Sequence, residues 1–168
     1  MSLSLYDVSV PVFIRGLRNL SAILEKGRAW ANDKEMPHTS LLDARLFEDM
    51  VPLIAQIQRA SDTAKFAVVR VGQVENVAMA DDEQSFDDLQ NRITRTITFL
   101  ETVAATSMDG RDEAEVVLPT PHGAISFTGR SYVLAFALPN FFFHVTTAYA
   151  ILRHKGVPLG KLDYIGAA

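Results

Sequence analysis

Apolar residues recur at helical spacing through most of this chain. Val10, Phe13, Ile14, Leu17, Leu20, Ile23 and Leu24 fall at intervals of three and four, which puts them on one stripe of a helix. Arg15, Arg18, Glu25 and Lys26 take much of the remaining surface. Pro11 suits a helix start, where amide donors have no intrahelical acceptor. Asp7 or Ser9 is therefore expected to cap a helix that runs to Trp30 or Asn32. The polar stretch 33–40 reads as a loop. A second helix is expected from an Asp49 cap, with Pro52 in its first turn, with Leu53, Ile54, Ile57, Ala60, Ser61, Ala64 and Val68 along one side, and with Gly72 as its stop.

The third stripe follows an acidic segment. Ser85, Asp87 and Asp88 make a capping-box-like start with negative charge at the favourable end of the helix dipole. Phe86, Leu89, Ile93, Ile97, Leu100 and Ala104 form a narrow apolar face, with Arg92, Arg95 and Glu101 expected to point outward. Asp109-Gly110 is a turn. The runs 115–118 and 124–127 flank Pro119, Thr120, Pro121, His122 and Gly123, and predict a small hairpin or paired extended arms. From Ser131 the pattern is helical again; Leu138-Pro139 can restart it, and Gly156 and Pro158 close it. The expected architecture is all-α: an up-and-down four-helix bundle with a short β-hairpin before the last helix, one domain over residues 1–168. Short loops would join antiparallel neighbours, and sites would form between facing helices.

Composition narrows the function classes. With 48% apolar and 21% charged residues the chain lies in the ordinary globular range. A net charge of -4 and the absence of any basic run argue against a nucleic-acid partner. Zero cysteines exclude disulfides and thiolate chemistry, which fits a reducing cytoplasm. The N-terminal residues lack a signal-peptide pattern, so no export is expected. Residues 132–152 approach membrane-spanning length, but Pro139, Asn140, His144 and several threonines favour a buried helix and no membrane partner. No phosphate loop, dinucleotide fingerprint or serine elbow is present.

The last helix carries the candidate chemistry. Phe141, Phe142, Phe143, Val145, Ala148, Tyr149, Ile151 and Leu152 leave it little polar circumference, yet Asn140 and His144 lie one turn apart and can point to the same place. Two polar groups on a mostly buried helix need partners. They serve either core hydrogen bonding or the wall of a pocket whose other half is Gln56 on the second helix. Tyr149 and Tyr132 offer hydroxyls, although bundle tyrosines are commonly core residues with a wet tip. Arg153 and His154 complement the helix dipole, His122 sits on a solvated loop, and Asp62 and Lys65 read as surface charges.

The stretch from Phe143 through His144, Tyr149 and Arg153 to Gly156, followed by Gly160-Lys161-Leu162-Asp163, resembles the C-terminal signature of a bacterial domain family of unknown function grouped with the DinB/YfiT-like bundles. Ser2 to Tyr6 and Asp49 to Leu53 resemble it as well, so the likeness spans nearly the whole chain. The resemblance implies a four-helix bundle, a homodimer, a divalent-metal site of three histidines and, in some members, thiol-dependent transferase or isomerase activity. Carried over position by position, the three ligand places fall on Gln56, Asn140 and His144, so one of the three is histidine. Neutral amide oxygens suit hard cations better than zinc, and a catalytic metal normally keeps about three protein ligands. The expectation is a small-molecule-binding or degenerate-site bundle around His144, with no cofactor required and a divalent metal as the one the resemblance implies. Two alternatives stand beside it: a metal- or thiol-dependent transferase or isomerase that uses His144, and a structural protein whose aromatic last helix or first helix is a dimer seam.

Overall fold

Each apolar stripe becomes a buried face in the computed structural model, which describes residues 3–166. Helix α1 (Val10–Asp33) buries Val10, Phe13, Leu17, Leu20, Ile23 and Leu24. Neither expected cap bonds the helix end. The Ser9 hydroxyl donates to the Leu5 carbonyl at 2.6 Å, and the Asp7 carboxylate accepts from Ser4 instead. A short α2 (Thr39–Leu42) buries Leu41 and Leu42. Helix α3 (Leu53–Gly72) starts four residues after Asp49, because Pro52 is extended and disfavours helical geometry at Val51 before it. Its left-handed terminal residue is Gln73, at φ 53°, rather than Gly72. Helix α4 (Phe86–Glu101) is capped by Ser85, whose side chain accepts from the Asp88 amide. It stops short of Ala104, where the Thr102 hydroxyl bonds back to the Phe99 carbonyl and a 3-10 turn (Ala105–Met108) follows.

Strands β1 (Glu115–Thr120) and β2 (Gly123–Thr128) form the expected antiparallel hairpin, with Val116 opposite Phe127 and Leu118 opposite Ile125. Helix α5 (Gly129–His154) follows at once, opened by a Thr128–Ser131 capping box. A short α6 (Lys161–Ile165) closes the described chain. Among the described residues α5 is the one helix long and apolar enough to cross a membrane by length and composition. It is central to the packing, with Phe141, Val145, Ala148, Ile151 and Leu152 buried and α1 and α3 on either side.

The helix directions correct the up-and-down expectation. Side-chain pairs run in opposite senses along α1 and α4 (Arg18 with Glu101, Ser21 with Gln90, Arg28 with Asp87) and along α3 and α5 (Gln56 with His144, Thr63 with Asn140, Arg70 with Tyr132). Along α1 and α5 they run in the same sense: Gly16 lies against Phe141 and Gly27 against Leu152. Helices α1 and α5 therefore point one way and α3 and α4 the other. The order around the core is α1, α4, α3, α5, with α1 meeting α3 across the middle. One long crossover makes this possible, between the parallel neighbours α3 and α4. The 20 residues of α3 rise about 30 Å, and residues 73–85, extended, can retrace that length.

That returning segment is fastened by a residue expected to face solvent. Arg92 on α4 is 2% exposed. Its guanidinium reaches Asp62 of α3 and Asp81 and Glu83 of the returning segment, each at 2.9 Å, and the Ala80 carbonyl at 3.0 Å. Lys65, also expected at the surface, is buried and meets Asp62 at 3.2 Å. Burial opposes the Glu83 carboxylate, but hydrogen bonds from Gln58 and Arg92 outweigh it and hold that carboxyl below its usual range. Burial likewise opposes the charged guanidinium, and the three carboxylates keep it protonated. Removing one partner from such a cluster strands the others. Arg92→Met is therefore expected to lower unfolding stability by about 3 kcal/mol or more in urea denaturation; a loss under about 1 kcal/mol would show that the cluster does not hold the segment.

Candidate functional site

The site begins with a widened turn in α5. Residues Tyr132–Ala137 are π-helical, with the Leu138 amide bonded to the Val133 carbonyl five residues back. The next residue, Pro139, has no amide proton and so cannot continue the regular ladder. The α-helical part, Leu138–His154, does start with the proline in its first turn, but the chain before it is helical too, so nothing restarts. The wider turn has a consequence for the site. On a regular α-helix a row of residues four apart drifts by about 40° per step; a π-turn winds that row back. Tyr132, Phe136, Asn140 and His144 consequently line a single cleft.

The opposite wall of the cleft comes from α3. Gln56 and His144 are sealed at 1% and 6% exposure and bond to each other, His144 Nδ1 to Gln56 Oε1, at 2.8 Å. Orientation follows from the next bond. Gln56 Nε2 donates to the Val51 carbonyl at 3.0 Å, and a carbonyl only accepts, so the amide oxygen must face the ring. The proton of the neutral imidazole then sits on Nδ1 and the lone pair on Nε2, which no described protein group bonds. Burial, and after it the Arg59 guanidinium, push the ring down to about 4 from its usual 6.5. His144 is neutral at physiological pH. One turn away, Asn140 Nδ2 donates to Thr63 Oγ1 at 2.7 Å, and that hydroxyl donates to the Arg59 carbonyl at 2.7 Å.

The cleft between α3 and α5 has a volume of about 270 Å³ and includes Arg59, Asp62, Thr63, Phe66, Arg70 and, from the hairpin, Leu118. Phe127 of β2 packs edge-on to Tyr132 at 5.6 Å and so ties the hairpin to this end of α5. A larger cleft of about 390 Å³ lies between α1, α5 and α6, walled by Val12, Gly16, Phe142 and Val145. It is mostly apolar, and its polar side chains are already engaged: Arg15 and Asn19 bond carbonyls at the end of α6, and the Tyr164 hydroxyl bonds Thr146. Of these two clefts the smaller has the groups able to orient a ligand.

The sequence candidates divide accordingly. His144 and Asn140 line the cleft, and Gln56 stands behind His144. Tyr149 is elsewhere, packed on Tyr164 at 5.9 Å. His122 is exposed in the hairpin turn. Arg59, Thr63, Phe66 and Arg70 escaped attention, yet they recur at helical intervals with Gln56 along one side of α3, a polar row flanking the apolar stripe.

The residues at the three ligand places do not assemble a metal site. Gln56 Oε1 is already occupied by the His144 Nδ1 proton, and Asn140, whose Nδ2 donates to Thr63, offers only a neutral amide oxygen. Among the described residues no three of His, Asp, Glu or Cys gather in a way that could hold an ion. A neutral imidazole nitrogen with amide oxygens is a poor match to a three-histidine site.

Helices, hairpin and cleft together define a DinB-like helical domain. The crystal structure of a DinB family member protein from Shewanella denitrificans is 39% identical to this chain, covers 98% of it and 93% of its own length, and superposes with a TM-score of 0.89. Residues 5–165 match the domain of unknown function DUF1993, and the chain belongs to that family. No curated protein matches it.

Because the folded ring has the lower proton affinity, the unfolded chain binds more protons between about pH 6.5 and 4. The stability that His144 supplies is thus present above the unfolded value and falls as pH drops through this window. Between pH 7 and 4.5 the wild type is expected to lose about 2 kcal/mol more than His144→Gln in denaturant titrations; parallel losses would contradict the neutral buried ring.

Proposed function

We propose that this protein binds a small molecule in the cleft between α3 and α5, with His144 as the group that orients it. The observation that carries this reading is the Gln56–His144 hydrogen bond, which fixes the ring so that its unprotonated Nε2 is the free side. A neutral imidazole held in this way accepts a hydrogen bond from a ligand hydroxyl, amine or thiol, and Asn140 one turn away adds an amide oxygen. The apolar faces of Phe66, Phe136 and Leu118 supply the contact area.

A second reading is a transferase or isomerase in which Nε2 takes a proton from its substrate. It is supported by the base form being populated throughout the neutral range. A conjugate acid near 4 makes a weak base at pH 7, so binding remains the leading reading. Metal-dependent chemistry is not part of either proposal, since the donor set described above does not fit the ion.

A fragment screen by ligand-observed NMR, mapped on amide shifts of the full chain, tests the leading reading. Hits are expected to move Thr63, Asn140 and His144 and to weaken at least tenfold in His144→Leu. Hits that gather instead in the apolar cleft at α6, or that bind His144→Leu unchanged, would overturn it.

A further inference from the structure

The far end of the cleft from His144 holds two donor groups, Arg70 and the Tyr132 hydroxyl, that keep N–H and O–H protons without an acceptor among the described residues. Arg70 Nη1 donates to the Tyr132 hydroxyl oxygen at 2.7 Å, so the hydroxyl proton itself points elsewhere, and no described residue accepts it. Tyr132 is fully buried. Burial raises its hydroxyl above the usual range, against the smaller lowering effect of Arg70, so the group stays protonated and remains a donor. The Arg70 guanidinium is held against Phe66, 4.6 Å from the ring centroid, and near the Tyr132 ring at 5.8 Å. It has no carboxylate partner among the described residues. Its remaining N–H groups are unused.

The rest of the cleft keeps this end electropositive. Asp62 is the acidic residue in the lining, and Arg92 at 2.9 Å and Lys65 at 3.2 Å already neutralise it. Arg59, at the His144 end, is a second cation without a carboxylate partner among the described residues. A planar guanidinium held over one aromatic ring and joined to a buried hydroxyl donor is an arrangement that receives an anionic oxygen pair. Phe66, Phe136 and Leu118 then fit the apolar body attached to it.

We infer that the ligand is a small organic anion with an apolar body, its charged oxygens received by Arg70 and the Tyr132 hydroxyl. This rests on the reading of the α3–α5 cleft as a binding site and adds the chemical class of what enters it. Arg70 and Tyr132 set specificity by charge, while His144 meets a donor further along the ligand. Carboxylates and phosphate monoesters share the required chemistry.

Three probes of matched body separate the possibilities: 3-phenylpropionate, phenyl phosphate and the neutral 3-phenylpropanamide, each titrated into the full chain and followed by amide and arginine side-chain NMR shifts. At least one anion is expected to bind tenfold or more tightly than the amide, with shifts at Arg70, Phe66 and Tyr132. The stronger of the two anions identifies the head group. Arg70→Gln is expected to erase the preference, and Tyr132→Phe, which keeps the ring, to reduce it several-fold. Equal binding of amide and anions at the cleft, or a preference that survives Arg70→Gln, would overturn the anion assignment while leaving the cleft as a binding site. Failure of all three probes and of neutral fragments to perturb the cleft would overturn both.

Discussion

The antiparallel seam between α3 and α5 is joined at three levels by polar pairs, Gln56 with His144, Thr63 with Asn140 and Arg70 with Tyr132. The α3 partners are seven residues apart, two helical turns, so all three face α5. A buried polar group without a partner costs on the order of 1–3 kcal/mol, so the pairs fix the register of the two helices against each other. Much of the surrounding structure serves to hold that register. On the far side of α5, Gly16 and Gly27 let α1 approach until Phe141 and Leu152 fill the space a Cβ would need. At the lower end the hairpin packs Phe127 against Tyr132.

Arg92 and His144 are both buried bases but are handled in opposite ways. Arg92 cannot shed its proton, so it is surrounded by Asp62, Asp81 and Glu83 and becomes the fastening of the long return between α3 and α4. His144 can lose its proton, meets a neutral amide and a nearby cation instead of a carboxylate, and stays uncharged. The first group has its Nη atoms taken up by carboxylates and a carbonyl, with Nε left without a partner among the described residues. The second keeps a free lone pair in a cleft, which is what a ligand-directing residue requires.

The apolar stripes and the hairpin were legible in the sequence because each depends on local periodicity, and the oddity of polar residues in an apolar helix singled out Asn140 and His144, which line one cleft. Val10 to Leu24 and Leu53 to Val68 needed nothing beyond spacing. Helix direction was not legible: spacing says nothing about whether residues 73–85 turn back tightly or run the length of a helix. Arg92 was misread for the same reason, since charge on a helix suggests solvent until a crossing segment covers it; Lys65 is buried as well, whereas Asp62 stays partly exposed. Tyr149 was a candidate for its hydroxyl, as was Tyr132, but the π-turn aligns positions 132, 136, 140 and 144, and Tyr149 packs on Tyr164 instead. Family likeness located the Gln56, Asn140 and His144 positions; only the geometry shows that two of them bond each other rather than converge on an ion.

Ligand binding as proposed for this cleft depends on the protonation state of one ring. Two-bond proton–nitrogen correlation spectra of selectively labelled histidine report which imidazole nitrogen carries the proton. For His144 they should show the neutral ring with hydrogen on Nδ1 and an unprotonated Nε2 from pH 8 down to at least pH 5.5. A ring protonated at Nε2, or one that titrates near 6.5 like a free histidine, would contradict it.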